Sequence, residues 1–171
     1  MQEVVDSLGT SKFEVPTVSI KEVLQRLEAN DASLVLLDVR TEEEINVSTI
    51  PGSISKADFD ADPAKYADKE IVCFCTVGYI SGGRACEYRR NGFTNVKNMG
   101  DGALLAYTLA KTSAGVSHPL IKPDGSLTNE VHTFMPDLLP LAGEGMVGKS
   151  FTDPGAVLAA ANEKFKETLG I

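Results

Sequence analysis

Apolar residues along this chain come in two spacings, and the two alternate. Ile20, Val23, Leu24 and Leu27 recur at helical intervals behind a Ser19–Glu22 capping-box pair, which predicts a helix ending near Asn30. Leu34 to Leu37 is then apolar without interruption and closes at Asp38. So short a run, apolar on both faces, predicts a strand buried inside a parallel sheet. Thr41 and Glu44 repeat the capping-box spacing and open a short helix, Ile50-Pro51-Gly52 is a turn, and Ser53 to Ser55 predicts a brief strand. Ile71 to Cys75 is the next uninterrupted strand, followed by a glycine-containing loop. A helix from Tyr79 or Ser81 to Arg90 comes next, with Gly92 as its left-handed stop. Asn95 to Met99 predicts another strand and Gly102 to Ala110 another helix. Strands and helices alternating at short intervals imply an α/β domain with a mainly parallel sheet.

Beyond Thr112 the pattern changes. Pro123-Asp124-Gly125 is a turn signal between Leu120-Ile121 and Leu127-Thr128, which predicts a hairpin. Residues 136 to 150 are rich in Pro and Gly and read as irregular. Asp153-Pro154 then opens a last helix, Asp as N-cap and Pro in the first turn, with Gly170 ending it. Val157, Leu158, Ala161, Phe165 and Leu169 line one face of that helix, and this stripe must pack on the domain or on a partner.

Composition narrows the function classes. A chain of 171 residues with 43% hydrophobic and 23% charged residues can bury one ordinary core. Sixteen basic and 24 acidic residues leave a net charge of −8, which repels nucleic acid and anionic membrane surfaces. No apolar run approaches the length of a membrane span, so no membrane insertion is expected. The opening Met-Gln-Glu-Val-Val-Asp is not a signal peptide, although a transit peptide removed ahead of it stays open. Two histidines, His118 and His132, supply a zinc site poorly, and neither metal nor cofactor is expected. The three cysteines, Cys73, Cys75 and Cys86, crowd one stretch instead of spreading as a disulfide framework would. They point to a reducing compartment, the cytoplasm or an organelle interior.

The segment Cys75-Thr76-Val77-Gly78-Tyr79-Ile80-Ser81 carries the chemistry. It follows a buried strand and precedes a helix, the place where parallel sheets gather functional groups. A loop leading into a helix N-terminus turns several backbone N–H groups on one spot, which favours an anion and lowers the pKa of a thiol. Cys75 therefore stands where a thiolate nucleophile would, with the loop residues as its anion-binding surround. A lone Cys at the end of an apolar strand is otherwise a small core residue. Cys73, two residues earlier and on the same face, reads as packing, as does Cys86 in the helix.

Cys75-Thr-Val-Gly78-Tyr79 followed by Ser81 resembles the active-site loop of the single-domain rhodaneses, the thiosulfate-type sulfurtransferases. Leu36-Leu37-Asp38-Val39-Arg40 is similar to that family's Asp-Val-Arg signature, with Glu44 where a helix glutamate is usual. Ile50-Pro51-Gly52-Ser53-Ile54 resembles its Ile-Pro-Gly-Ala segment, and Asn91-Gly92-Phe93-Thr94-Asn95-Val96 its Gly-Phe-x-x-Val. The resemblance implies a rhodanese-like, mainly parallel sheet of about five strands with helices on both faces. It divides the chain into a lead-in (1–14), a rhodanese-like domain (15–112) and a C-terminal extension (113–171) of hairpin, irregular segment and terminal helix packed on the core. The implied activity moves sulfane sulfur from thiosulfate, a persulfide or a polysulfide to a thiol acceptor through a persulfide on Cys75. Asp38, Arg40 and Arg84 are supporting residues in this reading, the first two organising the strand end. The extension is expected to offer a surface to a protein partner.

Departures from the family's pattern set a competing expectation. Many members carry Arg at the position of Ile80, and losing a charged hydrogen-bond partner costs about 1.5–3 kcal/mol, so thiosulfate is expected to be the weaker donor. Arg84, one turn on, either reaches the loop rim or stays in solvent. With Ile80 in the loop, little positive side-chain charge is expected near the thiol, leaving the backbone to attract an anionic donor. Ser48-Thr49 replaces Gly-His, Asp101 interrupts Gly-Gly, and no Trp lies near Tyr107. Together these favour the alternative, a catalytically weak module that binds or regulates a partner. A phosphatase or arsenate reductase is disfavoured by the lack of a loop arginine. His132 reads as a surface residue of the hairpin rather than a proton donor.

Overall fold

The computed structural model describes residues 13–170, so most of the expected lead-in lies outside the described residues. Five parallel strands form the central sheet: β1 (Thr17–Val18), β2 (Leu34–Asp38), β3 (Ile54–Ser55), β4 (Glu70–Phe74) and β5 (Val96–Met99), in the order β1-β5-β4-β2-β3. The helices between them are α1 (Ile20–Glu28), α2 (Glu42–Val47), α3 (Lys56–Ala61), α4 (Tyr79–Arg90) and α5 (Ala103–Leu109).

The uninterrupted apolar runs have a simple cause. Alternate residues of each central strand enter different cores, because successive side chains point to opposite faces. Leu36, Val72, Phe74 and Met99 join one core with residues of α1 and α5. Leu37, Ile71, Cys73, Cys75 and Val96 join the other with Phe59 of α3 and Ala85 and Tyr88 of α4. Cys73 and Cys75 thus share a face, and burial pushes the Cys73 thiol far up, which keeps it a neutral packing group.

The capping signals act as read. Ser19 accepts from the Glu22 N–H, and Thr41 and Glu44 form a reciprocal box. Gly92 has φ +98° after α4. Up to α5, the elements absent from the sequence reading are β1, α3 and a 3-10 turn at Pro63–Tyr66, each too short for a periodic signal.

After α5 comes the hairpin of β6 (Leu120–Ile121) and β7 (Leu127–Thr128), closed around Pro123-Asp124-Gly125. The stretch read as irregular holds a 3-10 turn (Pro136–Leu141) and β9 (Val147–Lys149), which pairs in parallel with β8 (Glu130–His132). This pairing joins residues 17 apart, beyond the reach of a local pattern. The last helix, α6 (Pro154–Leu169), is capped by Asp153 as expected. Phe165 and Leu169 pack with Phe13 and Tyr79, and the Phe165 ring lies where a Cβ on Gly83 would sit, 2.5 Å away. Among the described residues no helix is long and apolar enough to cross a membrane.

Candidate active site

Strand β4 ends at Phe74 and delivers Cys75 to the carboxyl edge of the sheet. The chain then bends through Thr76 and Val77 to Gly78, whose φ of +97° caps α4. Glycine is required there on two counts. That backbone conformation strains any L side chain, and an added Cβ would lie 3.2 Å from the Met99 carbonyl oxygen. The bend is held from behind. Leu104 and Leu105, in the first turn of α5, donate their N–H groups to the Cys75 and Thr76 carbonyls at 3.2 Å each, and Asn98 Nδ2 donates to the Gly78 carbonyl at 3.0 Å.

With its carbonyls tied back, the loop turns donors on the thiol. Cys75 Sγ accepts from Gly78 N–H at 3.2 Å, from Ser81 N–H at 3.4 Å and from Ser81 Oγ at 3.4 Å. Cys75 is only 3% exposed and Ser81 is fully buried. Three donors around one sulfur can carry the negative charge of a thiolate in a site that excludes most water.

The thiol opens on a cavity of about 420 Å³, which Thr76, Val77, Tyr79 and Ile80 also line. Arg40, Glu44 and Arg84 line it too. An apolar wall of it comes from the C-terminal residues Phe134, Met135, Leu138, Val157, Leu158 and Ala161, and Lys164 also lines it. Tyr79 fixes that wall to the loop, its hydroxyl donating to Asn162 Oδ1 of α6 at 2.6 Å.

Asp38 and Arg40 are both buried at the end of β2 and bonded to each other. Arg40 also donates through Nη2 to the Ser48 carbonyl at 2.7 Å, and Thr49 Oγ1 donates to Asp38 Oδ2 at 2.6 Å. Burial works against the Arg40 charge, but Asp38 beside it prevails and holds the guanidinium above its ordinary pKa. Glu44 is pushed up by burial against the pull of Arg40 and Thr41. It accepts from Thr76 Oγ1 at 3.3 Å, joining α2 to the loop. Arg84 lies against the site, not in free solvent: Nη1 donates to Glu87 at 2.6 Å and the guanidinium stacks over Phe165 at 5.3 Å.

One expectation is corrected, that for His132, and one is refined. Three basic residues, Arg40, Arg84 and Lys164, line the cavity, but Asp38 and Glu87 pair with the two arginines and Glu44 lines it as well. Of the three, Lys164 was not named by the sequence reading, because it comes from the distant α6. His132 is not a surface residue: it is 1% exposed, its ring 4.5 Å from that of Phe151. Its Nδ1 accepts from the Phe134 N–H at 3.2 Å and lies 3.7 Å from Glu44 Oε1. The β8–β9 pairing lays this edge on α2 instead of leaving it in solvent. Other site neighbours escaped the sequence reading. Asn98 is one of two polar residues in the four-residue β5, and nothing local marks it as the buried one; the apolar wall is indistinguishable from ordinary core.

The departures at 49 and 101 have structural roles here. Thr49 serves Asp38, and the Asp101 carboxylate accepts from the Ile20 N–H at 3.1 Å, steadying the start of α1.

A sequence model of the rhodanese-like domain matches residues 19–104. Among solved structures, thiosulfate sulfurtransferase from Pseudomonas aeruginosa is similar over 72% of this chain, with 24% identity and a TM-score of 0.54; this chain spans 23% of that protein. A protein from Rhodopseudomonas palustris, a possible tyrosine phosphatase, is similar over 60% of this chain and 83% of its own, at 24% identity and TM-score 0.48. A rhodanese-related protein from Thermoplasma volcanium is similar over 62% of this chain and 97% of its own, at 17% identity and TM-score 0.45. At 24% identity the likeness to the Pseudomonas protein is one of fold. No curated protein matches the chain.

Proposed function

The chain belongs to the rhodanese-like domain family, and from that premise we propose that it is a sulfurtransferase that carries sulfane sulfur on Cys75. The observation that supports this reading best is the convergence of Gly78 N–H, Ser81 N–H and Ser81 Oγ on the Cys75 sulfur. The thiolate attacks the outer sulfur of a donor, the bond from that sulfur to the rest of the donor breaks, and its electron pair leaves with the remainder. The product is a persulfide, Cys75–S–S⁻, whose terminal sulfur stays beside the loop donors. A thiolate acceptor then attacks that terminal sulfur and regenerates the Cys75 thiolate. Thr76, Val77, Tyr79 and Ile80 shape the pocket around the transferred sulfur, and Asp38 and Arg40 hold the strand end against it.

One observation favours the second reading, a partner-binding module of weak activity. Ile80 offers no donor where many members of the family have Arg, and it lies among apolar residues of the two neighbouring cores. Intact-mass analysis after incubation with thiosulfate and, separately, with a polysulfide separates the two. The enzyme reading expects a gain of one sulfur atom that Cys75→Ser abolishes. No gain from either donor leaves the binding module.

A further inference from the structure

The carbonyls of the Cys75 loop are tied back by two kinds of donor. Leu104 and Leu105 use backbone N–H groups, which almost any residue in their places would supply. Asn98 is the one side chain, among the described residues, that donates to a carbonyl of the loop, from Nδ2 to Gly78. It pairs with Cys73 across the sheet, on the face that α4 covers, and is 3% exposed. Its own N–H donates to the Pro16 carbonyl at 2.8 Å, so its backbone is fixed between β4 and β1. The amide lies against both glycines that begin α4: a Cβ added at Gly78 would be 3.8 Å from Nδ2, and one at Gly82 3.4 Å.

The other end of this amide is a liability. Asn98 Oδ1 is buried and accepts no hydrogen bond among the described residues. A buried polar atom without a partner destabilises a fold, whereas an apolar side chain of similar shape in its place does not. A polar residue that breaks this rule in a buried strand, with no gain for the strand, marks a position set by function rather than folding. We infer that Asn98 is a positioning residue for the thiol: it fixes the Gly78–Tyr79 peptide, and through it the donors on Cys75 Sγ, at the expense of stability. This rests on the reading of Cys75 as the sulfur carrier and adds a residue to that site.

Glycine has the widest backbone freedom of any residue, so Gly78 is the joint where the loop turns most easily. Its carbonyl takes two donors, Asn98 Nδ2 and the Gly82 N–H at 3.1 Å. The Gly82 bond exists only while the first turn of α4 is formed. Asn98 holds the same carbonyl from a rigid strand. All three donors to the sulfur, Gly78 N–H, Ser81 N–H and Ser81 Oγ, belong to this joint and this turn. Without Asn98 they spend less time aimed at Sγ, and a thiolate loses part of what offsets its charge.

The test is Asn98→Leu. Iodoacetamide alkylation of Cys75, followed against pH by intact mass with Cys75→Ser as the blank, reports the thiolate; urea denaturation reports stability. The pH of half-maximal alkylation should rise by about 1, and persulfide loading by polysulfide at neutral pH should slow about tenfold. The denaturation midpoint should hold or rise. Other charged and titratable groups near the thiol are common to both proteins: Arg40, Glu44, Arg84 and Lys164 on the cavity, Asp38 and Glu87 paired with the arginines, His132 beside Glu44, and Cys73 on β4. An unchanged or lowered alkylation profile overturns the inference. So does a raised profile with a lowered denaturation midpoint, which is the mark of a merely structural residue. Asn98→Val, smaller and also apolar, is judged by the same criteria if the Leu variant does not fold, and failure of both to fold overturns the inference. If no donor loads the parent protein, sulfur transfer falls, and the alkylation profile still decides the role of Asn98.

Discussion

Arg40 grips Asp38 with a two-pronged contact, Nε to Oδ1 at 2.9 Å and Nη2 to Oδ2 at 2.7 Å, between side chains that are 1% and 2% exposed. The pair closes the end of β2 next to the loop that holds Cys75. Removing one partner leaves the other charge buried and alone. Asp38→Ala should therefore lower the unfolding free energy by about 3–5 kcal/mol, measured by urea denaturation. A loss under about 1 kcal/mol would mean that water reaches the guanidinium.

Ser81 Oγ is one of three donors on the thiol sulfur, and Ser81→Ala removes it while keeping the N–H. Persulfide loading by polysulfide should slow about tenfold, the effect of losing one hydrogen bond to a charged group. Stability should change by no more than about 1 kcal/mol. Stopped-flow loading and thermal melts on the same sample separate the two effects.

Ile80 lines the cavity and contributes no polar group to it. Ile80→Arg should raise thiosulfate loading about tenfold by adding a charged donor pair. An unchanged or lower rate would show that Arg40 and Arg84 already supply the positive charge a small anion needs.

His132 stays neutral in the fold because burial, and after it the Arg40 charge, lowers its pKa from the ordinary 6.5 to about 4. Unfolding frees it to protonate. Its contribution is complete above pH 6.5 and is lost as the pH falls towards 4, about 3 kcal/mol in all. Denaturation midpoints should drop across that window. His132→Asn, which keeps an acceptor for the Phe134 N–H, should flatten the drop. Glu44, raised by burial, acts with the opposite sign, so the difference between the two proteins isolates the histidine.

Phe165 holds α6 against α4, its ring packed on Gly83 and beneath Arg84. Phe165→Ala should cost about 3–5 kcal/mol and loosen the wall of the cavity. Alkylation of Cys75 by iodoacetamide should then speed up. A rate equal to that of the parent would show that α6 does not limit access to the thiol.

The local pattern of this sequence determined the alternation of buried strands and capped helices, the hairpin, the last helix and the loop at Cys75. Each rests on interactions within a few residues: a capping hydroxyl, a left-handed glycine, a run of apolar side chains. Residues 75 to 81 therefore already announced a thiol at a strand end. The tertiary structure decided what surrounds that thiol. Arg40, Arg84 and Lys164 come from β2's end, α4 and α6, and only packing brings their charges to one cavity. The parallel pairing of β8 with β9 buries His132, and the contacts of α6 turn an anonymous apolar stripe into one wall of the site. Charge and burial at a site depend on neighbours distant in sequence, and no spacing rule encodes which of them will meet.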